Sequence, residues 1–229
     1  MSRNKLERFR ENQLAPNVFE AGKANYENMK GQWHRTYFQN DRPIVLELAC
    51  GRGEYSVALA AKHPELNFIG VDIKGARLWK GSQIALREGL ANVAFLRAQI
   101  QQIETFFAKG EVSEIWLIHP DPRDKDADAR RRLTFPRFLA HYRNISVDNV
   151  LIRLKTDSAS LFAYTMEEVL PNEPISELVY TDNLYQSPLV TDHLDKNGQP
   201  VKTKYEEMFM AKGCTIHYAK FRLLPQLAS

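Results

Sequence analysis

Residues 44–61 read "IVLELACGRGEYSVALAA". The first six positions are apolar apart from Glu47, the middle carries Gly51 and Gly53, and the stretch from Glu54 onward is rich in alanine and aliphatic residues. That order predicts a buried strand, a tight turn and a helix, the opening unit of a parallel α/β sheet. Gly51 and Gly53 allow the backbone to turn sharply and to approach a ligand, and the helix beyond them offers free N–H groups. An ordinary strand-to-helix turn has the same two glycines. A dinucleotide fingerprint would have a third glycine at position 56, where the chain has Ser56, and no carboxylate such as Glu47 inside the strand.

Working outward, "NFIGVDI" (67–73), "NVAFLRA" (92–98), "EIWLIH" (114–119) and "NVLIRLKT" (149–156) read as further strands. The segments between them, 54–63, 75–90, 101–110 and 135–145, carry helical patterns. Such alternation implies a parallel sheet with crossover helices on both faces. A helix near 158–170, a strand at 174–181, a polar stretch, a helix over 203–213 closed by Gly213 and a last strand in "CTIHYAKFRL" (214–223) complete the chain. The expected fold class is α/β: a doubly wound, mostly parallel, seven-stranded Rossmann-like sheet with an antiparallel C-terminal strand. Residues 1–40, helix-like in "RNKLERFREN", are expected to be an N-terminal extension laid on a single domain of residues 41–229.

With 229 residues, 44% hydrophobic and 26% charged, the chain has the composition of one soluble domain with a substantial core. A net charge of +3 is small, so an anionic partner must be met by a local patch. Cys50 and Cys214 lie far apart without CxxC or Cys/His spacing, which argues against a disulfide framework and against zinc, and fits a reducing cytoplasm. The first residues have no apolar leader segment, and no window approaches eighteen uninterrupted apolar residues. Neither secretion nor membrane spanning is expected.

Candidate chemistry sits at the ends of the predicted strands. Asp72 ends the second, nineteen residues after Gly53, where a carboxylate can accept from both hydroxyls of a ribose. Gln99 follows the third and can accept from an adenine amino group, although a solvated helix cap reads in the same way. The fourth ends in "HPDP" (119–122), where two prolines stiffen the backbone around Asp121. Between Arg130 and Arg143 the chain carries five arginines and no carboxylate. Arg130, Arg131 and Arg132 are therefore candidates for phosphate contacts, with Lys125, His141 and Tyr142 nearby, against the alternative of a solvated face. Asp157 lies just beyond the fifth strand, where it or Ser158 can also serve as a helix cap. Thr203 and Glu206 have capping-box spacing.

Glu-x-Ala-x-Gly-x-Gly over residues 47–53 is close to the first motif of class I S-adenosylmethionine methyltransferases, with Ala49 in place of a glycine. In order along the chain, "ELACGRGEY", "FIGVDIKGARLWKG", "HPDP", "RRRLT", "LKTD" and "TKYEEMFMAKG" resemble the motifs of the bacterial tRNA (guanine-N(7)-)-methyltransferase family, from about residue 17 onward. The resemblance implies methyl transfer from S-adenosylmethionine, without metal, to N(7) of a guanosine in the tRNA variable loop, conventionally position 46. It implies cofactor contacts at Glu47, Asp72, Gln99 and Asp121, beside the turn of Gly51 and Gly53. It further implies substrate contacts at Lys125, Asp157, Thr203, Lys204, Tyr205 and Glu206, and tRNA against residues 127–132. The chain departs from the family pattern at Asp72 for glutamate, Gln99 for aspartate, His119 for phenylalanine, and in "RDKDADARRR" for a more basic run.

Guanine N(7) carries an exposed lone pair and no proton, so alignment rather than a strong base is the main demand. Asp121 would face the base and favour its developing positive charge. Two rivals differ from this reading. An exocyclic-amine methyltransferase would have Asp-Pro-Pro-aromatic where this chain has "DPRD". A binding protein of the same fold would hold the cofactor or RNA without turnover.

Overall fold

The run Ile44–Leu48 is strand β2, and all five of its residues are buried, as a strand covered on both faces requires. In the computed structural model, which describes residues 3–226, it lies at the middle of an eight-stranded sheet. The other strands are β1 (Val18–Phe19), β3 (Asn67–Val71), β4 (Val93–Leu96), β5 (Val112–Ile118), β6 (Ser146–Thr156), β7 (Ile175–Thr181) and β8 (His217–Leu223). Their order is β1-β4-β3-β2-β5-β6-β8-β7. The pairs from β1 to β6 are parallel, and β8 runs antiparallel between β6 and β7.

The seven expected strands are all present. The eighth, β1, is contributed by the N-terminal forty residues and pairs through Val18 with Phe95 and Phe19 with Leu96. At two residues it is too short to show an alternating pattern. Helices α1 (Arg3–Leu14), α2 (Glu54–Lys62), α3 (Gly75–Arg87), α4 (Pro136–Ile145), α5 (Ala159–Ala163) and α6 (Lys204–Met210) complete the frame. Successive strand residues enter opposite cores, Leu46 and Ile69 on one side and Val45 and Phe68 on the other.

Two expected helices differ. Residues 100–105 form 3₁₀ turns, broken by the non-helical backbone of Gln102. The segment near 158–170 starts as α5 and widens into a π turn over Tyr164–Val169. There the Thr165 hydroxyl reaches back 2.8 Å to the Leu161 carbonyl, a contact that loosens a helical ladder.

Helix α1 is fastened to α3. Asn12 Nδ2 donates to Gly75 O at 2.8 Å, and Ser82 Oγ donates to Asn17 Oδ1 at 2.7 Å. The Lys23 ammonium donates to the carbonyls of Asn12, Ala15 and Val18 at 2.6–2.9 Å, satisfying acceptors left open where a helix ends. Residues 1–2 and 227–229, counted within the two expected segments, lie outside the described residues.

Candidate active site

The chain leaves β2 for β3 and β4 on one side and β5 and β6 on the other, which puts the topological switch at the carboxyl ends of β2 and β5. Ligands of such sheets bind there. The structure has a cleft of about 400 Å³ at that edge, lined among others by Ala49, Asp72, Ile73, Gln99, Asp121 and Arg131. The volume suits a small organic ligand. Strands β2, β3, β4 and β5 each contribute to it through the residues beyond their ends.

The glycine turn is shaped by positive φ at Ala49 (59°), Gly51 (58°) and Gly53 (70°). A Cβ at Gly53 would stand 2.4 Å from the Phe95 ring, so packing as well as φ demands glycine there. Asp72 is nearly buried, and its two oxygens take the N–H groups of Gly51 (2.9 Å) and Lys74 (2.7 Å). Each oxygen keeps a second lone pair. Glu47 lies beneath the turn, outside the cleft lining, and accepts from the Ser56 N–H at 2.8 Å and from the Ser56 hydroxyl. Burial pushes its carboxyl up to about 8 against those two donors. Gln99 is exposed at the cleft.

Asp121 stands at the rim, 65% exposed and 3.1 Å from the Arg123 guanidinium. His119 and Arg123, on either side of it, have φ of 46° and 52°. Behind this turn the structure assembles a buried ionic cluster. His119 Nδ1 lies 2.9 Å from Asp157 and Nε2 lies 3.2 Å from Glu206, the second contact without hydrogen-bond alignment. Glu206 Oε1 is 2.6 Å from the Lys155 ammonium, with both side chains fully buried. Tyr185 donates to Glu206, and Lys155 donates to Tyr55 at 2.5 Å.

The protonation of these groups follows from their neighbours. Burial works against charge on Glu206, but His119 and Lys155 pull it down to about 2. Burial draws the Lys155 ammonium down to about 8 despite Glu206. For His119, burial works against the charge, but the Asp157 hydrogen bond and the nearby Glu206 carboxylate together outweigh it and raise its value.

The cleft thus brings together Asp72, Gln99, Asp121 and Arg131. Asp157 and Glu206 meet through His119 instead, outside the lining. Thr203 caps α6 by accepting from the Glu206 N–H at 3.1 Å, while Lys204 and Tyr205 are exposed. Lys125 and Arg130 are exposed, and Arg131 pairs with Asp128 at 3.0 Å.

Arg132 does not offer the phosphate contact expected of it. It is buried, donates to the carbonyls of Pro122 and Arg123 and lies 4.2 Å from the centre of the Tyr164 ring. Tyr142 is likewise buried and donates to Leu133 O, His141 bonds Glu104, and Arg143 pairs with Glu173 at 2.7 Å. The acid-free run in the sequence therefore meets its acceptors in space.

Comparison with known proteins bears on what this edge does. The family described as "Putative methyltransferase" matches residues 41–219. The tRNA (guanine-N(7)-)-methyltransferase of Cytophaga hutchinsonii is 45% identical over 98% of this chain and 100% of its own length. The protein of the same name from Bacteroides fragilis is 48% identical, covering 99% and 88%. This chain belongs to the tRNA (guanine-N(7)-)-methyltransferase family. Among solved structures, the 16S rRNA methyltransferase KamB aligns with a TM-score of 0.61 at 14% identity, covering 90% of this chain and 95% of that one. An antibiotic-related methyltransferase aligns at 0.59 and 15%, covering 82% and 91%. These two likenesses show the fold.

The buried cluster also holds residues that sequence reasoning missed, Lys155, Tyr55, Tyr185 and His193, the last 3.2 Å from the Tyr55 hydroxyl. One signal was present: a lysine inside the apolar strand "VLIRLKT", where an unpaired charge is not tolerated. Its partner Glu206, fifty-one residues later, was read as a helix cap and, through the resemblance, as a substrate contact, with no signal of the pairing. Among the described residues, no group of three or more His, Cys, Asp or Glu side chains could hold a metal ion, and no helix is long and apolar enough to cross a membrane.

Proposed function

We propose that this protein transfers the methyl group of S-adenosylmethionine to N(7) of a guanosine in the tRNA variable loop, at the position conventionally numbered 46, in the cytoplasm. The observation that carries the reading is the cleft at the sheet's switch point, with Asp72 and Asp121 both in its lining, in a chain of this family. The residues present suit such a cofactor. Asp72 has a free lone pair on each oxygen for a ribose diol, Gln99 offers an amide oxygen to an amino group, and Ile73 and Ile100 are apolar surfaces for a ring.

S-adenosylmethionine, when bound, supplies an electrophilic methyl group on a sulfonium. The residues of this chain supply position and field. Gly51 and Gly53 give the turn its close approach, and Glu47 holds it from beneath by fixing Ser56 at the start of α2. Asp121, at the rim between two prolines, accepts from the base edge and stabilises the positive charge that develops as N(7) is alkylated. Asp157 and the Thr203–Glu206 segment, joined through His119, shape the acceptor side, with Lys125, Lys204 and Tyr205 exposed toward RNA. Arg130 and Arg131 meet phosphate. Residues 1–40 act as an arm integral to the domain of residues 41–229.

The test is methylation of unmodified tRNA, with the modified nucleoside identified by mass spectrometry. Wild-type protein is expected to form 7-methylguanosine, and Asp121→Asn to lower the single-turnover rate by about a hundredfold or more. A methyl group on an exocyclic amine would favour the first rival. Tight binding of tRNA with no transfer would favour the second.

A further inference from the structure

The triple-arginine segment leaves much of its charge engaged, which raises the question of where else a polyanion could lie. A second groove, of about 270 Å³, is lined by Arg8, Arg52, Ala76, Arg77, Trp79 and Lys80. Its cations come from three places: α1, the glycine turn and α3. Among the described residues none of these four pairs with a carboxylate, in contrast to Arg123 with Asp121, Arg131 with Asp128 and Arg143 with Glu173. The acid that touches the groove wall, Glu11, accepts the indole N–H of Trp79.

Two of the groove's guanidinium groups also lie against aromatic rings. Arg8 lies 4.8 Å from the centre of the Trp79 ring, and Arg77 lies 5.7 Å from that of Tyr205, whose hydroxyl accepts from Arg77 at 3.3 Å. Stacking on an aromatic face holds a guanidinium in place while its N–H groups stay free for a phosphate. Asn12 in α1 and Asn17 just beyond it both bond to α3, which fixes the two helices that carry Arg8 and Lys80. Position links the groove to the cleft. Arg52 is the residue between Gly51, which donates to Asp72, and Gly53, and Arg77 touches the Tyr205 of the 203–206 segment.

We infer that this α1–α3 groove is a landing site for the RNA sugar-phosphate backbone, so that the bound RNA extends from the cleft across Arg52 and Arg77 toward Arg8 and Lys80. The inference rests on the function proposed above and adds a surface that the sequence did not single out. It gives the N-terminal helix a direct part in RNA binding.

The measurement is tRNA affinity against salt concentration for two paired variants. Arg8→Ser/Lys80→Ser removes two exposed cations from the groove. Arg42→Ser/Arg87→Ser removes two from the opposite, amino edge of the sheet, where β2 begins and α3 ends. The groove pair is expected to flatten the log-affinity versus log-salt slope by about 1.5, from roughly 0.7–0.9 per phosphate contact, and the control pair to leave it unchanged. S-adenosylmethionine affinity and thermal unfolding are expected to stay at wild-type values in both pairs. A groove pair whose slope equals the control's overturns the inference, whatever its methylation rate. Wild-type protein that fails to methylate tRNA counts against the function instead.

Discussion

Replacing Glu206 by Gln isolates the charge of the buried cluster with little change in shape. The amide oxygen can take the place of Oε2 and still accept from the Thr203 N–H, now 3.3 Å from Glu206, while the amide NH2 takes the place of Oε1, which now accepts from the Tyr185 hydroxyl. What disappears is the negative charge 2.6 Å from a fully buried ammonium. The fall of Glu206 from 4.5 to about 2 corresponds to about 3 kcal/mol of preference for its charged form. Removing one partner of a buried pair costs about 3–5 kcal/mol, and the two figures agree. The expected loss in urea unfolding at pH 7 is therefore about 3 kcal/mol or slightly more. Because the folded value lies below the unfolded one, this contribution is fully present above pH 4.5 and is lost as pH falls toward 2. The deficit of the variant should shrink over that window. It should shrink again above about pH 8, where Lys155 sheds its proton. Glu206→Gln/Lys155→Met should recover most of the loss, since an apolar side chain needs no counter-charge. A deficit under about 1 kcal/mol at pH 7, or one that Lys155→Met leaves untouched, would refute the reasoning.

Asp72→Ala should weaken S-adenosylmethionine binding by roughly 1–3 kcal/mol, as when charge-assisted hydrogen bonds are lost; calorimetry giving wild-type affinity in a folded variant would remove Asp72 from the cofactor site. Ala49→Gly relieves a side chain at φ 59° and should raise stability by about 0.5–1 kcal/mol, a strain of roughly 1–2 less the entropy glycine adds to the unfolded chain. An unchanged or lower midpoint in chemical denaturation would contradict it. Arg132→Ala should lower stability by about 1–3 kcal/mol by stripping partners from two carbonyls, while the salt slope of tRNA binding stays at the wild-type value. A flatter slope would mean that Arg132 swings out to phosphate.

The frame was legible because its signals are local. Ile44–Leu48, Asn67–Val71 and Val93–Leu96 are apolar runs closed by turn residues, and helix caps and glycines punctuate them. Asp72, Gln99 and Asp121 were legible for a related reason, since a parallel sheet delivers the residue after each strand to one edge. The fate of the arginines was not. Whether Arg132 faces solvent or Pro122 depends on a 3₁₀ turn over Asp126–Arg131 that carries no periodic pattern. The meeting of His119, Lys155, Asp157 and Glu206 depends on α6 folding back over the ends of β5 and β6, a long-range event with no trace in sequence spacing. The groove between α1 and α3 went unread for the same reason, because Arg8, Arg52 and Lys80 are neighbours only after the chain has folded.

Three non-glycine residues with positive φ, Ala49, His119 and Arg123, stand where β2 and β5 give way to the cleft. Such backbone costs about 1–3 kcal/mol at each position and persists only where surrounding contacts over-determine it. At His119 those contacts are the two carboxylates that grip its ring, and at Arg123 they are Asp121 on its side chain and Arg132 on its carbonyl. The buried cluster and the inward arginine therefore serve the same end. Both hold the "HPDP" turn in a conformation that its own residues would not choose, and so keep the Asp121 carboxylate at the rim of the cleft instead of free in solvent. On this account the charge buried behind the turn is part of how the exposed carboxylate is aimed. Loosening the cluster should reach Asp121 through backbone geometry, without any change in the residues that line the cleft.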